Sequence, residues 1–259
     1  VSLAITLPQD LRGELALSLL PESGGPRGEL MIFGEAVRRI DAWGGAALRA
    51  AIEYHARYLQ RHTVISLPDH DPACALLHGL IRLNHPAQLV LPDDSDHEPD
   101  PLPRNVLLQA QPIASAEHAF AAADVLFDAA SGRLRDAGRF AAKSLPELVQ
   151  NALLHARRCP TPPVVCAIHD RDEDELQLVV VDLGRPRPAF DTGRLRDAVL
   201  GGQGIHGLSG IVEQAAQREL DLSLSLAAGS GRLAWRAGRW VPAGDQPLLG
   251  FAAGITIPI

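Results

Sequence analysis

The chain has 259 residues, a formal net charge of −7 and 46% hydrophobic content. That length and composition suit one large or two ordinary globular domains, and the acidic balance excludes the basic footprint of an extended nucleic-acid interface. Cys74, Cys159 and Cys166 are scattered without a Cys-x-x-Cys spacing and no run of about 18 apolar residues occurs, so a disulfide framework, a zinc ribbon and a membrane span are not expected, and the cytoplasm is the expected compartment.

In chain order, residues 3–7 and 14–20 read as short strands around turn signals, a hairpin-like entry, and residues 30–33 as another strand. Residues 43–60 have helical spacing of Ala47, Ala50, Ala51, Tyr54 and Tyr58; a strand at 64–67, a helix at 71–83 and a strand at 88–91 follow. This alternation predicts an α/β layer over residues 1–91. Residues 92–104 are rich in Asp and Pro and read as a solvated linker, too mobile to hold a cation at His97. Cys74 and His78, at i and i+4, lack the two further ligands that a zinc site needs and read as core, and His70 reads as a turn residue before a helix.

Residues 105–259 open with a strand at 106–109 and a helix that begins at Ser115. Ser131 and Gly132 interrupt that helix, and a second runs over 134–156. Its sequence PELVQNALLHA places Glu147, Asn151 and His155 at i, i+4 and i+8 on one edge, beside an apolar stripe of Leu148, Ala152 and Leu153. A carboxylate can take a proton from a water or hydroxyl, and an amide oxygen is a hard donor suited to Mg²⁺. Ser144 and Pro146 also allow a fresh helix start, with Glu147 as the acid of a capping box; capping and catalysis both remain open for Glu147. Strands at 164–169 and 175–182 form an antiparallel hairpin that delivers Asp182, followed by Gly184. A short helix at 192–200 precedes GGQGIHG, in which Gly202, Gly204 and Gly207 leave backbone amides open ahead of a helix over 208–217, an arrangement suited to phosphate. Strands at 220–226, 232–236, 239–241 and 254–259 close the chain, and Trp235 and Trp240 on one hairpin read as core or interface.

The ordered set of a helix with Glu147 and Asn151, a strand into Asp182-x-Gly184, then Gly202-x-Gly204-x-x-Gly207-Leu208 resembles the GHKL (histidine-kinase-like) ATP-binding domain of histidine kinases, anti-sigma-factor Ser/Thr kinases, certain heat-shock chaperones, type II topoisomerases and MutL. The likeness extends to Gly254-Ile255-Thr256 in the last strand. It implies a Bergerat-type two-layer α/β sandwich with helices on a mixed sheet. It also implies a site in which Asn151 holds Mg²⁺, Asp182 reads the adenine of ATP, Gly184, Gly202, Gly204 and Gly207 line the nucleotide, and Glu147 is the catalytic carboxylate that activates a protein hydroxyl. Pro186, between Arg185 and Arg187, stands where that family has a further glycine. Residues 36–83 look like the STAS domain of anti-sigma-factor antagonists, in which a strand enters an Asp-Ser-Ser-Gly loop at a helix start. Here Asp41, Ala42, Trp43 and Gly44 occupy that loop, without the phosphorylatable hydroxyl.

The fold class expected is therefore α/β: an N-terminal STAS-like domain over residues 1–91, a linker over 92–104 and an ATPase-like domain over 105–259. The resemblance implies a regulatory ATP-binding protein, a Ser/Thr kinase or ATPase, with ATP and Mg²⁺ as ligands. Its partner would be a STAS-domain or sigma-factor-like regulator, with no nucleic acid and no membrane, and a homodimer stays open. The alternative is a non-catalytic interaction module that kept the fold.

Overall fold

The computed structural model describes residues 3–13, 28–68, 71–81, 87–90, 103–155, 161–183, 191–200, 207–243 and 248–259. The strand expected over 14–20 and most of the linker over 92–104 lie outside these residues, as do His70, His97 and Cys159.

The fold is mixed α/β, built on two sheets. In the first half, β1 (Leu3–Thr6), β3 (Glu29–Phe33), β5 (His62–Ser66) and β6 (Ala87–Val90) form a parallel sheet in that order. A two-residue parallel pair, β2 (Asp10–Leu11) with β4 (Arg39–Ile40), leads into helix α1 (Ala42–Glu53). Asp41 caps α1: its Oδ1 accepts from the Gly44 amide at 2.8 Å and its Oδ2 from the Gly13 amide at 2.7 Å. After Glu53 the helix widens into a π-helical turn, Tyr54–Tyr58, and α2 (Asp71–Ile81) packs beside α1. Cys74 and His78 are buried on α2.

In the second half, seven strands form one sheet in the order β12 (Arg239–Pro242), β11 (Gly231–Arg236), β10 (Ser223–Gly229), β13 (Leu248–Pro258), β9 (Glu175–Asp182), β8 (Val164–Asp170) and β7 (Val106–Pro112). Every pairing is antiparallel, so the sheet is not mixed as the family likeness implies. The reason is visible at β7 and β8: two antiparallel helices join them and return the chain to the end it left, which reverses the next strand. Those helices are α3 (Ala116–Ala129), capped by Ser115, and α4 (Arg135–His155), separated by a 3₁₀ turn at Gly132–Leu134. With α5 (Thr192–Leu200) and α6 (Leu208–Gln217) they cover one face of the sheet.

The other face is covered by the first half. Along β9, Leu176, Leu178 and Val180 enter the core under α3 and α4, whereas Val179 and Val181 enter a second core shared with α1, β3 and β5. This two-sided burial explains why β8 and β9 read as unbroken apolar runs rather than alternating ones. It also explains α1, where all 12 residues are buried: a helix between two sheets has no solvent face, and Ala and Gly dominate it. Trp43, 5% exposed, lies against Gly254 in β13, where a Cβ would collide with the indole and stand 2.7 Å from Cε2. Among the described residues no helix is long and apolar enough to cross a membrane.

Candidate functional site

Strand parity places Asp182 on the helix-covered face of the sheet. It continues the Leu176, Leu178, Val180 series and pairs across the ladder with Phe251, whose side chain is in the core beneath the helices. Asp182 is 2% exposed. Aspartate is seldom fully buried, so its presence at the end of an apolar strand is more informative than the valines before it.

Helix α4 crosses the same face, packing on β9 and β13 and meeting α6. Phe140, Ala141, Leu145, Leu148, Val149 and Ala152 fill the core on its inner side. Glu147 is exposed at its edge, and Asn151, one turn on, is 1% exposed. The Asn151 Nδ2 donates to the Glu147 carbonyl at 2.9 Å, so Oδ1 is the end of the amide suited to a cation. His155 is the last residue of α4.

The capping reading of Glu147 does not hold. Helix α4 is continuous from Arg135 to His155 with Pro146 inside it, and the Ser144 hydroxyl donates to the Phe140 carbonyl at 2.9 Å instead of capping a new start. Core packing on both sides of Pro146 outweighs the hydrogen bond that proline removes, and Ser144 takes the back-bonding geometry of a mid-helix serine.

Gly207 brings the second motif to the first. It is the N-cap of α6 with φ +79°, left-handed backbone that favours glycine, and the Ile211 amide returns to its carbonyl at 3.0 Å. A Cβ at this position would strike the Glu147 carboxylate and stand 2.9 Å from its Cδ. The carboxylate therefore sits at the positive end of α6, beside the place where that end can meet an anion. Of the residues singled out in the sequence, Glu147, Asn151, Asp182 and Gly207 lie on one face of the sheet, with Glu147 and Gly207 in contact. Gly184, Gly202 and Gly204, with Arg185, Pro186 and Arg187, lie outside the described residues.

Helix α5 borders this side and is capped by Asp191, whose Oδ1 accepts from the Arg194 amide at 2.8 Å. Among the described residues no three of His, Cys, Asp and Glu converge on one point, so a cation here would be held by few protein ligands and completed by water and phosphate oxygens, as is usual for Mg²⁺. The Asn151 amide oxygen is a hard donor of the kind Mg²⁺ takes, and a glycine at the head of α6 leaves room for a phosphate.

Sequence reasoning missed two features. One is the use of Trp43 as a wedge on Gly254. The other is a set of polar pairs in α1 and the turn after it: Arg49 bonds Glu53 (Nη2 to Oε1, 2.6 Å), the half-exposed Arg57 reaches the other oxygen of Glu53, and Arg61 lies 3.4 Å from His55 Nδ1. Arg49, Glu53 and His55 are each 0% exposed. Burial and the Arg61 charge lower the His55 pKa to about 4. The i, i+4, i+8 spacing of Arg49, Glu53 and Arg57 was a signal available in the sequence. Trp235 and Trp240 form a cross-strand pair, ring centroids 5.5 Å apart and edge to face, partly buried against the helix-side core.

No protein-family model, curated protein or solved structure matches the chain.

Proposed function

We propose that the chain is a regulatory ATP-binding protein of the anti-sigma-factor kinase type, with ATP·Mg²⁺ on the helix-covered face of the seven-stranded sheet. The observation that supports this reading is the contact between Glu147 and Gly207, which joins the acid-and-amide edge of α4 to the head of α6. In this reading Asp182 accepts a hydrogen bond from the adenine amino group, which selects the base. Asn151 ligates Mg²⁺ through Oδ1, and the ion, when bound, neutralises charge on the phosphates. Glu147 accepts the proton of an attacking protein hydroxyl, and the α6 amides steady the phosphate oxygens.

The test is calorimetric titration with a non-hydrolysable ATP analogue, with and without Mg²⁺. Saturable binding is expected, lost in Asp182→Asn and stripped of its Mg²⁺ dependence in Asn151→Ala. Unchanged affinity in Asn151→Ala would overturn the site assignment. Glu147→Gln should bind the analogue but transfer no phosphate from ATP.

A second reading, an interaction module that kept the fold, is favoured by burial: Asn151 and Asp182 are nearly closed to solvent, and Ala42 and Trp43 are packing residues where the STAS likeness has a hydroxyl. No binding heat at millimolar analogue, with partner binding retained, is its expected signature.

A further inference from the structure

The outer surface of the α3–α4 hairpin carries three rows of side chains. Phe120 and Phe127, two of the chain's six phenylalanines, are 60% and 46% exposed and stand seven residues apart, on one line of α3. Glu117, Asp124 and Asp128 form an exposed acidic row beside them on the same helix, at i, i+7 and i+11. On the neighbouring helix Arg135, Arg139 and Lys143, at i, i+4 and i+8, form an exposed basic row. The Arg139 guanidinium lies 5.7 Å from the centre of the Phe127 ring, which fixes the order across the surface as acid, aromatic, base.

Among the described residues these two exposed aromatic rings belong to no core, on a helix whose inner face already fills one. Their flanks decide the partner. A two-fold axis running along the aromatic row lays α3 parallel to a second α3, sets ring on ring, and brings the acidic row of each copy over the basic row of the other. A surface so arranged is complementary to itself, whereas a partner of one charge sign would meet repulsion on one side.

We propose that this surface is a self-association interface, through which two copies of the chain form a two-fold dimer centred on Phe120 and Phe127. The site reading above is independent of it, because neither α3 nor the basic row contributes a residue to that site.

Sedimentation velocity over a concentration series, at low and high salt, tests it. A monomer–dimer equilibrium is expected, weakened by salt because the flanking pairs are exposed. Phe120→Asp should weaken it by at least about tenfold with an unchanged far-UV circular dichroism spectrum, since the ring is not part of the core. Asp124→Arg and Arg139→Glu should each weaken association, and the double variant should recover it. A chain that stays monomeric up to hundreds of micromolar, a dimer untouched by Phe120→Asp, or charge-reversal variants whose effects simply add would each overturn the proposal.

Discussion

The contact of Trp43 with Gly254 makes a prediction whose sign changes with background. Trp43 is almost fully buried in the first turn of α1, and Gly254 leaves the space that its indole occupies. Trp43→Ala should cost about 3–5 kcal/mol, the range for removing a large buried aromatic. Gly254→Ala in the otherwise native chain pushes a methyl into the ring and should cost about 1–3 kcal/mol, because α1 is enclosed by sheets and cannot retreat. The backbone of Gly254 is not in the left-handed region, so alanine suits it conformationally. With the indole gone the same substitution should therefore stabilise, by up to about 1 kcal/mol, through a less free unfolded chain and a partly filled hole. The four proteins of the cycle are compared by urea unfolding followed by far-UV circular dichroism, which loss of a tryptophan hardly disturbs, with slopes checked for equality. If Gly254→Ala has the same sign and size in both backgrounds, the indole is not what the glycine accommodates, and the account of how the two halves join fails.

Burial, opposed by the Gly44 and Gly13 amides and reinforced by the charge of Asp170, raises the Asp41 pKa to about 6 from an unfolded value near 3.8. A raised acid contributes stability that is full below the unfolded value and is lost as pH climbs through about 6. Asp41→Asn cannot titrate and offers one oxygen where the Gly44 and Gly13 amides need two, so it starts at a cost near pH 4, but relative to it the parent should lose up to about 3 kcal/mol between pH 4 and neutral pH in denaturant titrations; a difference that does not change with pH would refute the raised carboxyl. His55 acts in the opposite sense, losing stability as pH falls from 6.5 towards 4, but is common to both proteins and cancels in their difference. Pro146→Ala restores a helix hydrogen bond in the middle of α4 and should raise the midpoint of thermal unfolding, by as much as about 3 kcal/mol of stability; an unchanged or lowered midpoint would mean that the proline's position is set by something other than tolerated strain. Gly207→Ala should displace the Glu147 carboxylate and weaken nucleotide-analogue binding in calorimetry, at a cost of about 1 kcal/mol or more in stability from its positive φ.

Periodicity carried most of the secondary structure. α5 and α6 fall where their spacing and glycine boundaries put them, and β8 with β9 form the hairpin expected from two apolar runs around a charged turn. Local signals failed where tertiary packing overrides them. Ser144 and Pro146 spell a helix start, and only the core contacts of Phe140 and Leu145 on one side and Leu148 on the other show that the helix runs through. The last strand begins at Leu248, six residues before Gly254, because Gly250 and Gly254 interrupt the apolar pattern in the sequence. Of the site, the Glu147 and Asn151 edge was legible as i, i+4 spacing on one helix. Its contact with Gly207 was not, because nothing local fixes the distance between residues sixty apart in the chain. The same holds for Trp43 and Gly254: an aromatic on a helix reads as core, but which strand it meets is a property of the packed sheets.

The joint between the halves bears on what a partner must supply. Interfaces between domains that move are polar at their rims and modest in area. Here a whole helix is enclosed, its apolar residues share one cluster with Val164, Cys166, Val179, Val181 and Ala252 of the seven-stranded sheet, and a tryptophan is keyed into the backbone of β13. Releasing α1 would expose both sheets at once, so the first half is fixed in place and is not a module that docks and leaves. Position 42 carries alanine and faces this core, on the side of the sheet opposite Asp182, Asn151 and Gly207. Under the kinase reading, position 42 supplies no hydroxyl to the helix-covered face and the phosphate acceptor is expected on another molecule; mass spectrometry of the purified chain incubated with ATP and Mg²⁺ should find no stoichiometric phosphate anywhere in the chain, and finding it would refute that expectation.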